Sequence, residues 1–171
     1  MKMADLPDGI ARTIAADGSA VYAVLDTHGL SGVGVIARAP VDGSSVTTIA
    51  TGVTPTRIAV DAESLYYFRI SPDSKSFELV RSDKGGGQTK VLLSDLHSPN
   101  DLVLADDLYV LELGGMNEAG RIQRISTKGD CGQVLATMQP IEPELFTYSH
   151  LAVNATDVFW ITTEGISRAT R

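Results

Sequence analysis

The side chains of this 171-residue chain with the widest chemical scope are three histidines, His28, His97 and His150. Around them lies a scatter of carboxylates and amides: Asp26, Asp73, Asn100, Asp101, Glu112, Asn117, Glu118, Glu142 and Glu144. Neutral imidazoles joined by a carboxylate hold zinc or a similar ion and can leave one position open for water. A single imidazole near a substrate serves as a general acid or base. No two of these histidines have local ligand spacing, so only the fold can bring them together. Cys131 stands alone, which excludes an intramolecular disulfide or a thiolate cluster. A nucleophilic role would need a neighbouring cation, and its Gly-Asp-Cys-Gly turn supplies none.

What positions these residues is a repeat. Arg38, Arg81, Arg124 and Arg168 are 43, 43 and 44 residues apart. Aligning on them brings Ile14-Ala15-Ala16-Asp17, Ile58-Ala59-Val60-Asp61, Leu102-Val103-Leu104-Ala105 and Leu151-Ala152-Val153-Asn154 into one column. Val21-Tyr22, Leu65-Tyr66, Leu108-Tyr109 and Val158-Phe159 form a second. Both columns are short, rich in strand formers and broken by turn residues. A third strand ends near each arginine, followed by a turn such as Asp83-Lys84-Gly85-Gly86-Gly87, then a fourth strand at 47–50, 90–93 and 133–136. Each unit therefore reads as four antiparallel strands, A to D. A period near 40 to 50 residues with that content is the signature of propeller blades.

The fourth unit ends at Arg171 without a D strand, whereas Lys2 to Pro7 matches the D-strand exits elsewhere. The expected fold is all-β: a four-bladed β-propeller of four-stranded antiparallel blades, its last blade closed by the N-terminal strand. The blades fall at about 10–52, 53–96, 97–139 and 140–171 plus 1–9, in one domain. Such closure removes exposed sheet edges. The rival is a dimer in which two copies exchange that strand and form an eight-bladed ring; the monomer is preferred.

Ile58 to Tyr67, Val80 to Gly87 and Lys90 to Ser94 resemble the repeats of NHL-type and lipoprotein-receptor-type propellers, including many bacterial ones, over essentially the whole chain. That resemblance implies architecture more than activity, since those families include receptors, scaffolds and a few lyases and hydrolases. They usually have six units, against four here. The blade count is similar to hemopexin-type domains, whose channel holds an ion, so the resemblance implies a structural calcium or sodium ion as the sole cofactor, or none.

A net charge of −7 and the lack of any basic run argue against a nucleic-acid partner. No apolar stretch approaches the roughly 20 residues of a membrane span. Met1 to Pro7 lacks the apolar core of a secretion signal, consistent with a cytoplasmic protein or with a secreted domain without its leader. Compartment is left open.

In a propeller the D-to-A and B-to-C loops share the face around the channel mouth. That face receives all three histidines and the two longest loops, 26–33 and 139–149, the latter carrying Phe146 and Tyr148 outside the repeat. Loops on a rigid scaffold are where binding residues collect. The expected ligand-binding set is His28, His97, Asn100, Glu112, Phe146, Tyr148 and His150, with no catalytic residue assigned. The expected function is a non-catalytic module binding a protein, peptide or glycan. The alternatives are a lyase or hydrolase with a histidine site at the channel mouth, or half of the eight-bladed dimer. The four arginines and the repeated Asp17, Asp61 and Asn154 read as structural, bonding and capping nearby turns.

Overall fold

The computed structural model describes residues 5–27, 33–114, 118–129, 132–139, 150–162 and 165–171. Its described elements are all strands: β1 (Ile10–Ala16), β2 (Ala20–Asp26), β3 (Gly34–Pro40), β4 (Thr47–Val60), β5 (Ser64–Ile70), β6 (Phe77–Asp83), β7 (Thr89–Leu96), β8 (Pro99–Leu104), β9 (Leu108–Glu112), β10 (Gly120–Ile125), β11 (Gln133–Met138), β12 (Leu151–Val153), β13 (Asp157–Thr162) and β14 (Gly165–Thr170). All pairing is between sequence neighbours and antiparallel, as tight turns between short strands dictate. Among the described residues no helix is long and apolar enough to cross a membrane.

The sheets follow the repeat with one departure. Strands β8 to β11 make one four-stranded sheet and β12 to β14 a three-stranded one, but β1 to β7 form a continuous sheet of seven. The expected D strand at 47–50 and A strand at 58–61 are one strand, β4, 14 residues long. Its ladder is interrupted between Val53 and Ile58, and Gly52 there takes a φ of +70°. The first half pairs with β3 and the second with β5, so β4 serves two units through a bend at Gly52. Of the expected closing strand at 1–9, residues 1–4 lie outside the described residues and 5–9 form no strand. Among the described residues β14 pairs only with β13.

The second and third units bury both faces against their neighbours. Tyr22, Val24 and Ile36 of the first unit meet Ile58, Leu65, Tyr67 and Val80 of the second. Tyr66, Phe68 and Leu79 meet Leu102, Leu108 and Val110. Tyr109, Leu111 and Ile122 meet Leu151, Val158 and Trp160. The same three leading positions pack on the same trailing positions three times. The fourth leading face breaks the pattern: Ile161 is 44% and Ile166 79% exposed, where their counterparts Val24, Phe68, Leu111, Ile36, Leu79 and Ile122 are all 0%. At the other end, Ile14 is 67% exposed although Ile58, Leu102 and Leu151 are buried.

A polar layer at the A-to-B turns ties strands within a unit. Asp61 accepts from the backbone N–H groups of Glu63 and Ser64 at 2.8 and 2.7 Å and from the Tyr66 hydroxyl at 2.7 Å. Asp17 repeats this with Ser19, Ala20 and Tyr22, and Asn154 caps Thr156 and Asp157. The repeated arginine stands opposite the repeated aromatic in all four units, Arg38 to Tyr22, Arg81 to Tyr66, Arg124 to Tyr109 and Arg168 to Phe159. Arg81 and Arg124 donate Nε to Ser64 and Asp107, two residues before that aromatic, both at 2.7 Å. Lys84 reaches from the second unit to Asp17 of the first at 2.5 Å and holds that carboxyl far below the usual range. Arg171 bonds Asp106 and lies 5.5 Å from the Tyr109 ring centroid, linking the fourth unit to the third. The C-to-D turn of the second unit packs so closely on the first that a Cβ at Gly86, where φ is +79°, would stand 2.0 Å from the Ile49 carbonyl oxygen.

Two outcomes are expected. In urea unfolding Ile122→Ala costs about 3 kcal/mol, whereas Ile166→Ala at the equivalent position costs less than about 1 kcal/mol. Burial, then the Asp61 carboxylate, pushes the Tyr66 hydroxyl up from 10.0 to about 12. Ultraviolet titration therefore shows one tyrosine ionising near pH 12, and Tyr66→Phe removes that step. The linked stability is full below pH 10.0 and is lost as pH rises through about 12.

Candidate functional site

The starts of the A strands, the ends of the B strands and the starts of the C strands all lie at one end of the units, because the strands alternate in direction. One position there recurs, the residue just before the apolar A column: Thr13, Arg57, Asp101 and His150. Three of these four meet. Arg57 Nε is 3.0 Å from Asp101 Oδ1, His150 Nδ1 is 3.4 Å from Asp101 Oδ2, and Arg57 Nη2 is 3.1 Å from His150 Nδ1. Units two, three and four are joined at this point.

Asp101 is the hub. It is buried, and beyond the two side chains it accepts from the backbone N–H groups of Leu102 at 2.9 Å and Leu151 at 2.8 Å. A carboxylate has about four acceptor sites; Arg57 and the two backbone N–H groups take three, and a proton on His150 Nδ1 would take the fourth. Asp101 is thus committed to positioning, while Arg57 and His150 stay about half exposed. His150 Nδ1 faces both a donor and an acceptor. With Nδ1 unprotonated the ring accepts there from Arg57, and with Nδ1 protonated it donates to Asp101.

Three further ion pairs lie at the same end. Arg12 bonds buried Asp26 at 2.8 Å, Arg69 bonds Glu78 at 2.7 Å, and Arg121 bonds buried Glu112 at 3.2 Å. Arg69 with Glu78 and Glu112 with Arg121 are the same cross-strand position in consecutive units with the charges exchanged. Burial raises the Glu112 carboxyl, and Arg121 with the His97 backbone N–H pulls it partly back. A shallow depression of about 370 Å³ lies at the other end, between Glu63, Arg81, Asp83 and Lys90, away from this cluster.

The expected site residues are distributed as follows. His28, Phe146 and Tyr148 lie outside the described residues. His97, half exposed, places Nδ1 3.5 Å from Glu118 Oε2. Glu112 is buried on Arg121, Asn100 is half-buried in β8, and His150 joins Arg57 and Asp101. The two described histidines are thus engaged with different carboxylates. Among the described residues no three His, Cys, Asp or Glu side chains are grouped to hold a metal ion. Arg57 is outside the expected set and Asp101 enters only among the polar groups around the histidines, although both align with His150 in the repeat.

No family model and no curated protein matches the chain. Among 36 matching chains of solved structures, one from a crystal structure of a nidogen/laminin complex superposes with a TM-score of 0.62 at 16% identity. The match covers 95% of this chain and 76% of that one. At that identity the likeness shows fold alone, and it is a propeller-like one.

Removing the hub should cost more than removing either exposed partner. Asp101→Ala leaves the Leu151 N–H and the Arg57 guanidinium without their acceptor and is expected to cost about 3 kcal/mol in urea unfolding. His150→Gln, at an exposed position, is expected to cost less than about 1 kcal/mol.

Proposed function

We propose that this chain is a non-catalytic binding module whose ligand, a protein or peptide, docks on the channel-mouth face. The observation that carries this reading is the Asp101 hub, which holds Arg57 and His150 in fixed, half-exposed positions by bonds to three units. Groups held in advance lose little freedom on binding. The division of the two described histidines between separate carboxylates weighs against a shared acid–base or metal centre. The structural neighbour comes from a complex between proteins, which supports a protein-binding role by analogy of fold only.

The test is selection of peptides from a display library on the immobilised chain, followed by titration of the isotope-labelled chain with the selected peptides. Amide shifts gathered at Arg57, His97, Asp101 and His150 are expected. Shifts gathered at the A-to-B turns, Asp17, Asp61 and Asn154, would reject this face.

A second reading, half of an eight-bladed ring, is favoured by the bare Ile161, Ile166 and Ile14. Two copies joined head to tail would cover both terminal faces. Light scattering at about 36 kDa, falling to 18.1 kDa with Ile166→Glu, supports it; 18.1 kDa for the unaltered chain rejects it.

A further inference from the structure

The A-to-B turns carry one group that the fold does not use. Asp17 and Asp61 each spend one carboxylate oxygen on the turn, accepting the backbone N–H groups two and three residues on, and the other on the hydroxyl of Tyr22 or Tyr66. In the first unit that second oxygen also takes Lys84 of the following unit. The fourth unit has Asn154 at this position and Phe159 in place of the tyrosine. Asn154 Oδ1 makes the same turn bonds, from the N–H groups of Thr156 at 2.9 Å and Asp157 at 2.8 Å and from the Thr156 hydroxyl at 3.3 Å. These donors fix which end of the amide is oxygen. Nδ2 therefore takes the place of the second oxygen, where Phe159 offers no hydroxyl. Among the described residues it has no hydrogen-bond partner and no following unit over it. Asn154, Ala155 and Thr156 are all exposed.

From this free amide we infer that Asn154 is the acceptor of an N-linked glycan. Asn154-Ala155-Thr156 is an Asn-X-Thr triplet with X other than proline, the pattern in which an asparagine amide receives sugar. Asn100 is followed by Asp-Leu and Asn117 by Glu-Ala, so Asn154 alone has a hydroxyl residue two places on. An aspartate caps the turn equally well, as Asp17 and Asp61 show, so the turn does not account for the amide. The donor is an oligosaccharide carried on a lipid pyrophosphate and transferred by an enzyme outside this chain. The bond from Nδ2 to the sugar C1 forms as the bond from C1 to the phosphate oxygen breaks. Lipid pyrophosphate leaves with the electron pair, and Nδ2 loses one proton to the transferase. Nothing is oxidised or reduced. Oδ1 is untouched, so cap and glycan coexist. The inference goes beyond the binding reading, since Asn154 lies at the opposite end of the strands from Arg57 and His150. It also places the chain outside the cytoplasm, where such transfer occurs.

The test is expression of the whole chain behind a cleavable secretion signal in a eukaryotic host, read by intact mass and by tryptic mapping of the peptide 129–168 that contains Asn154. The secreted chain is expected above 18.1 kDa, to fall back to that mass with peptide-N-glycosidase, and to carry its sugar at Asn154. Thr156→Ser keeps the hydroxyl and is expected to keep the glycan. Thr156→Ala and Asn154→Asp are expected to lose it. Asn154→Asp retains the turn cap, so circular dichroism and urea unfolding like the parent's separate loss of sugar from loss of fold. The same peptide from the chain's natural source is expected to be glycosylated. A secreted, folded chain of 18.1 kDa overturns the inference, as does sugar that survives in Thr156→Ala or a natural peptide found only bare. Peptide selection on the deglycosylated chain tests the binding reading separately, and its failure leaves this inference standing.

Discussion

A four-stranded sheet of short, apolar strands cannot stand in water with both faces bare, and the rest of this structure follows from that constraint. Each of the first three units solves it by giving its leading aromatic and aliphatic side chains to the trailing face of the next. Tyr22, Val24 and Ile36 on one side and Ile58, Leu65 and Tyr67 on the other are the first instance, repeated twice more. The described core is consequently a row of three interfaces and a smaller cluster of Ala23, Leu25 and Ala37 in the first unit, in place of a single centre. Burial of that kind is non-directional, so it sets that units stack without fixing how they are rotated.

Directional bonds supply the rotation. At one end Lys84 to Asp17 and Arg171 to Asp106 lock neighbouring units together, and at the other Asp101 gathers Arg57, His150 and the Leu151 backbone. The interface between units three and four is thus pinned above and below the apolar layer. The same hub that fixes the fourth unit also fixes the orientation of the half-exposed Arg57 and His150. Scaffold and candidate site are one set of interactions, which is why the site has little freedom to rearrange.

The sequence made the repeat legible because packing and turn chemistry recur with it. The aromatic of strand B and the arginine of strand C face each other in every unit, so both had to recur at one spacing. The capping of turns by Asp17, Asp61 and Asn154 was equally readable from residue type. The continuity of β4 was not, since Gly52 is a common strand breaker and only its local φ shows that the chain bends and carries on. The site was harder still. Arg57, Asp101 and His150 differ in type from unit to unit, and a contact between three units leaves no local spacing to find. His28, Phe146 and Tyr148, which the loops made attractive, fall outside the described residues.

If stacking of units is what holds the chain together, protection should follow the number of covered faces. Amide hydrogen exchange of the free chain measures this directly. Slowest exchange in β5, β6, β9 and β10, whose units are covered on both sides, with β14 exchanging much faster, is the predicted result. Equal protection of β14 and β9 would contradict it, since the face bearing Ile161 and Ile166 would then be covered like the others.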